Sequence, residues 1–287
     1  MDQRIKLAIQ KSGRLHDDSI KLLKDCGLKF NAGAKGILLT KASNFPVDVY
    51  FLRNSDIPKY VENGTADLGI IGENVLIEYK SEVDVFKKLG FSKCRVSLAI
   101  PRGQNYEGPA YFNGKKIATS YPNTLRAYFE REGIKSSIHN ISGSVEIAPG
   151  IGLAEGVFDI VSTGSTLLSN GLREVQTVLK SEAILVGNRD LNQDKRGIID
   201  KLLFRIEAVL KAKSRSYILL NAPNDNIDEI IAILPGMKSP TVLPLADEGW
   251  SSIHSVINDD EYWEVIEQLQ SKGAQGILVV PIDKMIL

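Results

Sequence analysis

Phe158, Asp159, Ile160 and Val161 read as a short apolar strand. The chemistry then changes at once to Ser162, Thr163, Gly164, Ser165 and Thr166, before Leu167 and Leu168 open a helical turn. Hydroxyls and a glycine where a strand hands over to a helix aim backbone N–H groups and side-chain donors into one small volume, which suits phosphate. Gly164 lets a ligand approach the backbone with no Cβ in the way. Asp159 sets a carboxylate at the rim, placed for a sugar hydroxyl or a hydrated cation. The same residues also read as an N-cap ahead of a short helix. A second candidate stands near the start: after an alternating strand through Ile5, Leu7 and Ile9 come Lys11, Ser12, Gly13 and Arg14. Two cations beyond the carboxyl end of a first strand occupy the place where open α/β sheets hold ligands, and they read equally well as solvated loop charges.

The elements that must position these groups alternate. A helix carrying Ile20, Leu22 and Leu23 closes at Gly27, and Val47 to Leu52 form a second strand. Ser55 or Asp56 then caps a helix with an early Pro58, and an apolar strand carrying Asp67, Gly69 and Gly72 leads into a short helix over 73–79. Strand and helix at this pace predict βαβ units around a mostly parallel sheet. The pattern restarts at Arg95, after a crossing near 90–93. There follow a strand ended by Pro101, a loop over 102–114 read as surface punctuation, a strand at 116–120, a helix from Tyr121 to Gly133 and a strand near 137–141. Two returning strands, near 172–179 and 183–186, imply a second α/β lobe inserted in the first, with a cleft between them. A long amphipathic helix over 195–213 leads to a βαββαβ tail, the ferredoxin-like plan.

Composition excludes several classes. The chain has 287 residues, 43% hydrophobic and 24% charged, an ordinary soluble composition with room for two or three domains. Lys plus Arg and Asp plus Glu balance at 35 each, so no overall field recruits nucleic acid or an anionic membrane. Charges interrupt the first apolar run and no stretch approaches a membrane span, so a cytoplasmic location is expected. Cys26 and Cys94 are isolated, and His16, His139 and His254 lie far apart, which supports neither a disulfide framework nor a zinc site.

Several runs together carry a resemblance. These are Glu146-Ile147-Ala148-Pro149 with Gly152-Leu153-Ala154; the stretch from Asp159 through Ser162-Thr163-Gly164-Ser165-Thr166 to Leu167; and Asn170-Gly171-Leu172-Arg173. To them add Lys11-Ser12-Gly13-Arg14-Leu15, Ala66-Asp67-Leu68-Gly69-Ile70, Arg95, Leu234-Pro235-Gly236 and Ser239-Pro240-Thr241. Over essentially its whole length the sequence resembles the long form of ATP phosphoribosyltransferase, an enzyme of histidine biosynthesis. Gly150, where some relatives carry a basic residue, and Ser165, in place of a common alanine, depart from the pattern.

The resemblance implies a two-lobed catalytic part like a type II periplasmic binding protein, with a C-terminal ferredoxin-like βαββαβ regulatory domain. Lobe I is expected at 1–92 and 179–213, lobe II at 93–178 and the tail at 214–287. Glu146, Asp159, Ser162, Thr163, Gly164, Ser165 and Thr166 would bind phosphoribosyl diphosphate. Lys11, Gly13, Arg14, Asp67, Gly69 and Arg95 would serve ATP or the leaving diphosphate, although Asp67 also reads as a structural carboxylate at a strand start. Asn221, Met237, Ser239 and Thr241 would serve allosteric histidine, although on pattern alone they read as a turn and a cap. Mg²⁺ would ride mainly on the diphosphate, its protein ligands unassigned, and the chain would form a homo-oligomer, a dimer or hexamer. Two other classes share the pattern: a solute-binding protein that does no chemistry, and a regulatory member whose catalytic partner lies elsewhere.

Overall fold

The computed structural model describes residues 3–31, 36–234, 236 and 239–286. It divides into two compact units, one running to Ile199 and a second from Asp200 onward that also takes in Asp25–Gly27.

The first unit opens with β1 (Ile5–Gln10), buried along most of its length, and α1 (Arg14–Asp25), whose Leu15, Ile20, Leu22 and Leu23 form the apolar stripe. A short β2 (Leu39–Lys41), which has no sequence signature, pairs antiparallel with β3 (Val47–Leu52). In β3 buried and half-buried residues alternate, as a strand with one covered face requires. Next come α2 (Ile57–Glu62), β4 (Leu68–Gly72), α3 (Glu73–Tyr79) and β5 (Asp84–Lys88). The expected cap of α2 does not form. Asp56 is already helical and makes no side-chain capping bond, its carboxylate accepting instead from the Ser55 hydroxyl, while Pro58 fits the first turn.

The chain then enters a second lobe with β6 (Cys94–Pro101), β7 (Lys116–Thr119), α4 (Pro122–Glu132), β8 (Ser137–Asn140), β9 (Gly156–Val161), α5 (Ser165–Ser169) and β10 (Leu172–Ser181). It returns through β11 (Ala183–Gly187) and leaves along α6 (Gln193–Ala212), inside which the unit boundary falls. The first sheet has the order β2-β3-β1-β4-β11-β5, with β1 parallel to β3 and β4. The second has the order β10-β6-β9-β7-β8, with β7 parallel to β8 and β9. The two crossings run side by side: Leu89 N–H donates to Ala183 O, Ala183 N–H to Phe91 O, and Gly90 N–H to the Glu182 carboxylate.

The 102–114 loop is less superficial than its Gly and Pro content suggests. A 3-10 turn, Pro109–Phe112, tucks Phe112 fully into the lobe II core against Phe129, with Tyr106 and Tyr111 around it. Burying an aromatic of this size contributes about 2–3 kcal/mol, which outweighs the local preference for solvent. A second, small-residue core of Ala99, Ala118, Val145, Ala148, Ala154, Val161, Leu167 and Leu172 lies under the 145–172 stretch and fixes its course.

After α6 come β12 (Arg215–Pro223), α7 (Ile227–Ile233), β13 (Thr241–Pro244), β14 (Trp250–Asn258), α8 (Tyr262–Ser271) and β15 (Gln275–Pro281). The all-antiparallel order β13-β14-β12-β15 is the ferredoxin-like βαββαβ arrangement. Ile218, Leu220, Ala222, Ile253 and Ile257 face Ile230, Leu234 and Leu269 in its core. Among the described residues no helix is long and apolar enough to cross a membrane.

Candidate functional site

The loop after β9 is built open. Val161 and Leu167 are buried and pin its two ends, while Ser162, Thr163, Ser165 and Thr166 expose their side chains. Gly164 sits at φ +86° and caps α5, a backbone conformation that a β-carbon would strain. No side chain caps this helix at Gly164. Thr163 Oγ1 reaches the Ser165 N–H only at 3.4 Å and the Ser165 hydroxyl at 3.0 Å. The hydroxyls are therefore largely unspent on the helix start, which favours the phosphate-cradle reading over a plain N-cap.

Asp159, on β9 just ahead of the loop, is half-buried, and the loss of solvent around it pushes its carboxyl up to about 6. The Ile160 N–H, donating at 2.8 Å, pulls the other way, and the charge of Glu146 adds to the rise. Glu146 belongs to a 3-10 turn, Val145–Ile147, anchored by the fully buried Val145. A raised carboxyl beside an open hydroxyl loop is suited to holding a sugar hydroxyl or a hydrated cation.

Arg95 is bonded within lobe II, to Glu174 and to the loop. Its Nε and Nη2 grip the Glu174 carboxylate at 2.6 and 2.5 Å, and its Nη1 donates to Ser162 O at 3.1 Å. Arg95, the largest influence on Glu174, holds that carboxyl below its ordinary range. A guanidinium neutralised by a bidentate carboxylate is a strut for the loop's first residue, and it offers a polyanion little net charge. Glu174 gives no sign of this role in its sequence context. A cavity of about 360 Å³ opens beside the strut, lined in part by Lys93, Cys94, Arg95, Ser162 and Lys180.

Lys11, Gly13 and Arg14 gather at the carboxyl end of β1. The Lys11 N–H donates to Leu52 O, extending the β1–β3 ladder, and Gly13 at φ +89° turns the chain into α1. Arg14 donates to Lys93 O at 3.0 Å, which brings the head of α1 to the interlobe crossing. Among the described residues neither Lys11 nor Arg14 enters an ion pair.

Asp67 and Gly69 are not with them. Asp67 is 3% exposed at the amino end of β4, where it accepts the Lys6 N–H at 2.7 Å and pairs with Lys195 at 2.7 Å. That end of the sheet is opposite the loop-bearing carboxyl ends, and both contacts are ones a structural carboxylate makes. Gly69 faces α2: a β-carbon there would lie 2.6 Å from Ile57 Cγ2 and 3.0 Å from Val61 Cγ2. Its missing side chain serves helix-on-sheet packing.

In the tail, Asn221 is a mid-strand residue opposite Ser252, at a bulge against β15, and no cap. Thr241 opens β13 opposite His254, on the sheet face away from α7 and α8 that Asn221 shares. Ser239 is exposed and bonds locally to Pro240 O. Met237 lies outside the described residues.

Two α/β lobes are joined by paired crossings, and an open hydroxyl loop with a raised carboxyl ahead of it stands at the end of a lobe II strand. The family model for ATP phosphoribosyltransferase matches residues 53–208, and that for the HisG C-terminal domain matches 212–284. The ATP phosphoribosyltransferases of Phocaeicola vulgatus and Cytophaga hutchinsonii are 55% and 53% identical to it. The first alignment covers 99% of this chain and all of the relative, the second all of both. Among solved structures, the ATP phosphoribosyl transferase (HisG:HisZ) complex from Thermotoga maritima aligns with a TM-score of 0.61 at 30% identity. That alignment covers 70% of this chain and 95% of the other. An alkanesulfonate-binding protein from Xanthomonas axonopodis, at 13% identity and a TM-score of 0.50, covers 71% of this chain and 72% of its own; it shares the fold alone. The chain belongs to the ATP phosphoribosyltransferase family, the pentosyltransferases of histidine biosynthesis that act on ATP and phosphoribosyl diphosphate.

Proposed function

We propose that this chain joins N1 of the adenine of ATP to C1 of the ribose of phosphoribosyl diphosphate as the first step of histidine synthesis, and that histidine inhibits it through the tail. The N1 lone pair forms the new bond to C1 while the C1–oxygen bond breaks, its electron pair leaving on diphosphate with inversion. N1 needs no deprotonation to attack, so no strong general base is required. Catalysis then rests on alignment of the two substrates and on stabilising an oxocarbenium-like ribose and a departing polyanion.

Within that reading Ser162, Thr163, Gly164, Ser165 and Thr166 hold the ribose 5-phosphate, and Asp159 and Glu146 hold the ribose hydroxyls. Lys11 and Arg14, free of ion pairs among the described residues, attract the ATP phosphates and the leaving diphosphate. Arg95 supports the loop through Ser162 O. No group of three or more His, Cys, Asp or Glu among the described residues is placed to hold a metal. Mg²⁺ would be held mainly by the diphosphate itself, with few direct protein ligands. When bound, that ion would offset the charge of the departing diphosphate. Asn221, Ser239, Thr241 and Met237 are assigned to histidine, and effector action at a separate domain calls for a homo-oligomer, dimer or hexamer, with two states. We assign the chain to the cytoplasm, with no nucleic-acid or membrane partner.

The open, glycine-capped hydroxyl loop behind a raised Asp159 is the observation that carries the reading. The test is diphosphate release by the purified chain given ATP, Mg²⁺ and phosphoribosyl diphosphate, with and without histidine. Steady release without any added protein, slowed by histidine, is expected. A chain that binds the sugar donor and releases nothing is a binding protein, and one that turns over only with a second protein is a dependent subunit.

A further inference from the structure

The seam between α3 of lobe I and α4 of lobe II is closed by buried polar contacts that no part of the reaction described above uses. Glu78, near the end of α3, is 3% exposed. Its Oε1 accepts the Asn123 N–H at 2.9 Å, and its Oε2 accepts the Thr124 N–H at 2.8 Å and the Thr124 hydroxyl at 2.7 Å. Its backbone carbonyl accepts from Asn123 Nδ2 at 3.2 Å. α4 begins with Pro122, which has no N–H, so Asn123 and Thr124 carry the first two amides of that helix, and Glu78 takes both. The first amides of any helix lack an intrahelical acceptor, so a carboxylate placed there is held by charge-assisted bonds as well as by the helix dipole. One turn earlier on α3, Asn74 is equally buried. It donates to the Tyr121 hydroxyl at 3.1 Å, accepts the Ser181 hydroxyl at 2.9 Å, and its N–H donates to Ser181 Oγ at 3.0 Å.

Both ends of this seam lead to the site. α3 springs directly from the carboxyl end of β4. α4 follows β7, which pairs with β9, the strand that carries Asp159 and the loop. Sliding α4 against α3 therefore moves the donor loop relative to the β1 and β4 ends of lobe I.

We propose that Glu78 is a positioning residue for the transfer, an interlobe latch that sets the gap across which the nucleotide on lobe I meets the ribose on lobe II. The inference rests on the assigned reaction for its two substrates. A bond-forming step between ligands held on separate lobes is steep in that gap, since about 1 Å of misplacement costs up to about a hundredfold in rate. A local cap on α4 would instead disturb only lobe II's own fold and its own ligand.

The test is E78Q in the full chain, read by hydrogen exchange and by kinetics. Gln keeps one acceptor oxygen and turns an N–H toward the other donor, so whichever of the Asn123 and Thr124 amides faces that N–H should exchange at least about tenfold faster. The turnover number should fall about tenfold, while the Kd for phosphoribosyl diphosphate moves by less than about twofold. T124V, which removes only the hydroxyl bond and keeps both amide bonds, should lower turnover by about two- to threefold with the melting transition intact, so the idea survives a poorly folding E78Q. Unchanged turnover in E78Q despite lost amide protection overturns the latch. So does a fall in turnover matched by an equal loss of donor affinity, or a T124V protein indistinguishable from wild type. A wild-type chain that releases no diphosphate sinks the assigned reaction; normal wild-type turnover with an indifferent E78Q sinks the latch alone.

Discussion

Asp159 combines a half-buried carboxyl with the proposed task of holding a sugar hydroxyl, and the two demands oppose each other. Its folded pKa, about 6, lies above the ordinary carboxylate value, so the folded state binds the extra proton. Its ionisation therefore costs stability, fully above pH 6, and that cost is relieved as pH falls from about 6 toward about 4. D159N, which keeps shape and removes charge, should raise Tm by a few degrees at pH 7 while cutting turnover at least about a hundredfold. A differential scan and a diphosphate assay on one sample check both. A ribose hydroxyl donates well only to the ionised form, so kcat/KM for the sugar donor should fall tenfold per unit below about pH 6. Any acid limb that D159N retains belongs to the donor's own phosphates. The type of Arg95 suggested an anion ligand, yet the bidentate grip of Glu174 makes it a loop strut. E174Q should loosen Ser162 and raise KM for the sugar donor several-fold with kcat less affected, measured by varying each substrate in turn. Local order betrays the hydroxyl loop and the acid before it, because those residues are contiguous. A pairing between positions 79 residues apart leaves no mark in either local sequence.

Elements were legible where period and caps agreed. β3 alternates, α4 runs from a proline at its first position to Gly133 in the left-handed region, and the tail's βαββαβ order is visible in its apolar runs. Short edge strands were not: β2 has three residues and β5 pairs only through β11, so neither carries enough periodic signal. The 102–114 loop was read as surface because glycine and proline punctuate it, whereas Phe112 decides its path by burial. Gly69 shows the same limit from the other side. Glycine next to a strand start suggested ligand approach, and the space it leaves is filled by Ile57 and Val61 of α2. G69A should therefore act on stability before chemistry. Overpacking of this kind costs about 1–3 kcal/mol, with a Tm lower by several degrees, while KM for ATP stays near the wild-type value. A G69A enzyme of normal Tm and weakened ATP binding would return Gly69 to the cleft.

At the scale of the molecule the chain carries a catalytic unit and a tail whose sheet has one face covered by α7 and α8 and one that bears Asn221 and Thr241. The split-βαβ plan alone says nothing of a ligand, because the same plan serves many unrelated tasks. The tail's proposed assignment rests on particular side chains on that uncovered face. A small effector held there changes turnover only by binding one state of the protein better than another, so weakening its contacts must shift the inhibition curve more than the uninhibited rate. Thr241 contributes an exposed hydroxyl at the start of β13, opposite His254, and it has no part in the loop-bearing sheet. T241A should raise the histidine concentration for half-inhibition about tenfold, the cost of one lost hydrogen bond to a charged ligand, and lower the uninhibited rate by less than about twofold. Sedimentation run across the same histidine series should then show the mutant's change of assembly state displaced to higher histidine by the same factor, since one coupling free energy governs both curves. A displaced inhibition curve with an undisplaced assembly curve would separate the effector from the oligomer and leave the tail to act within a single chain.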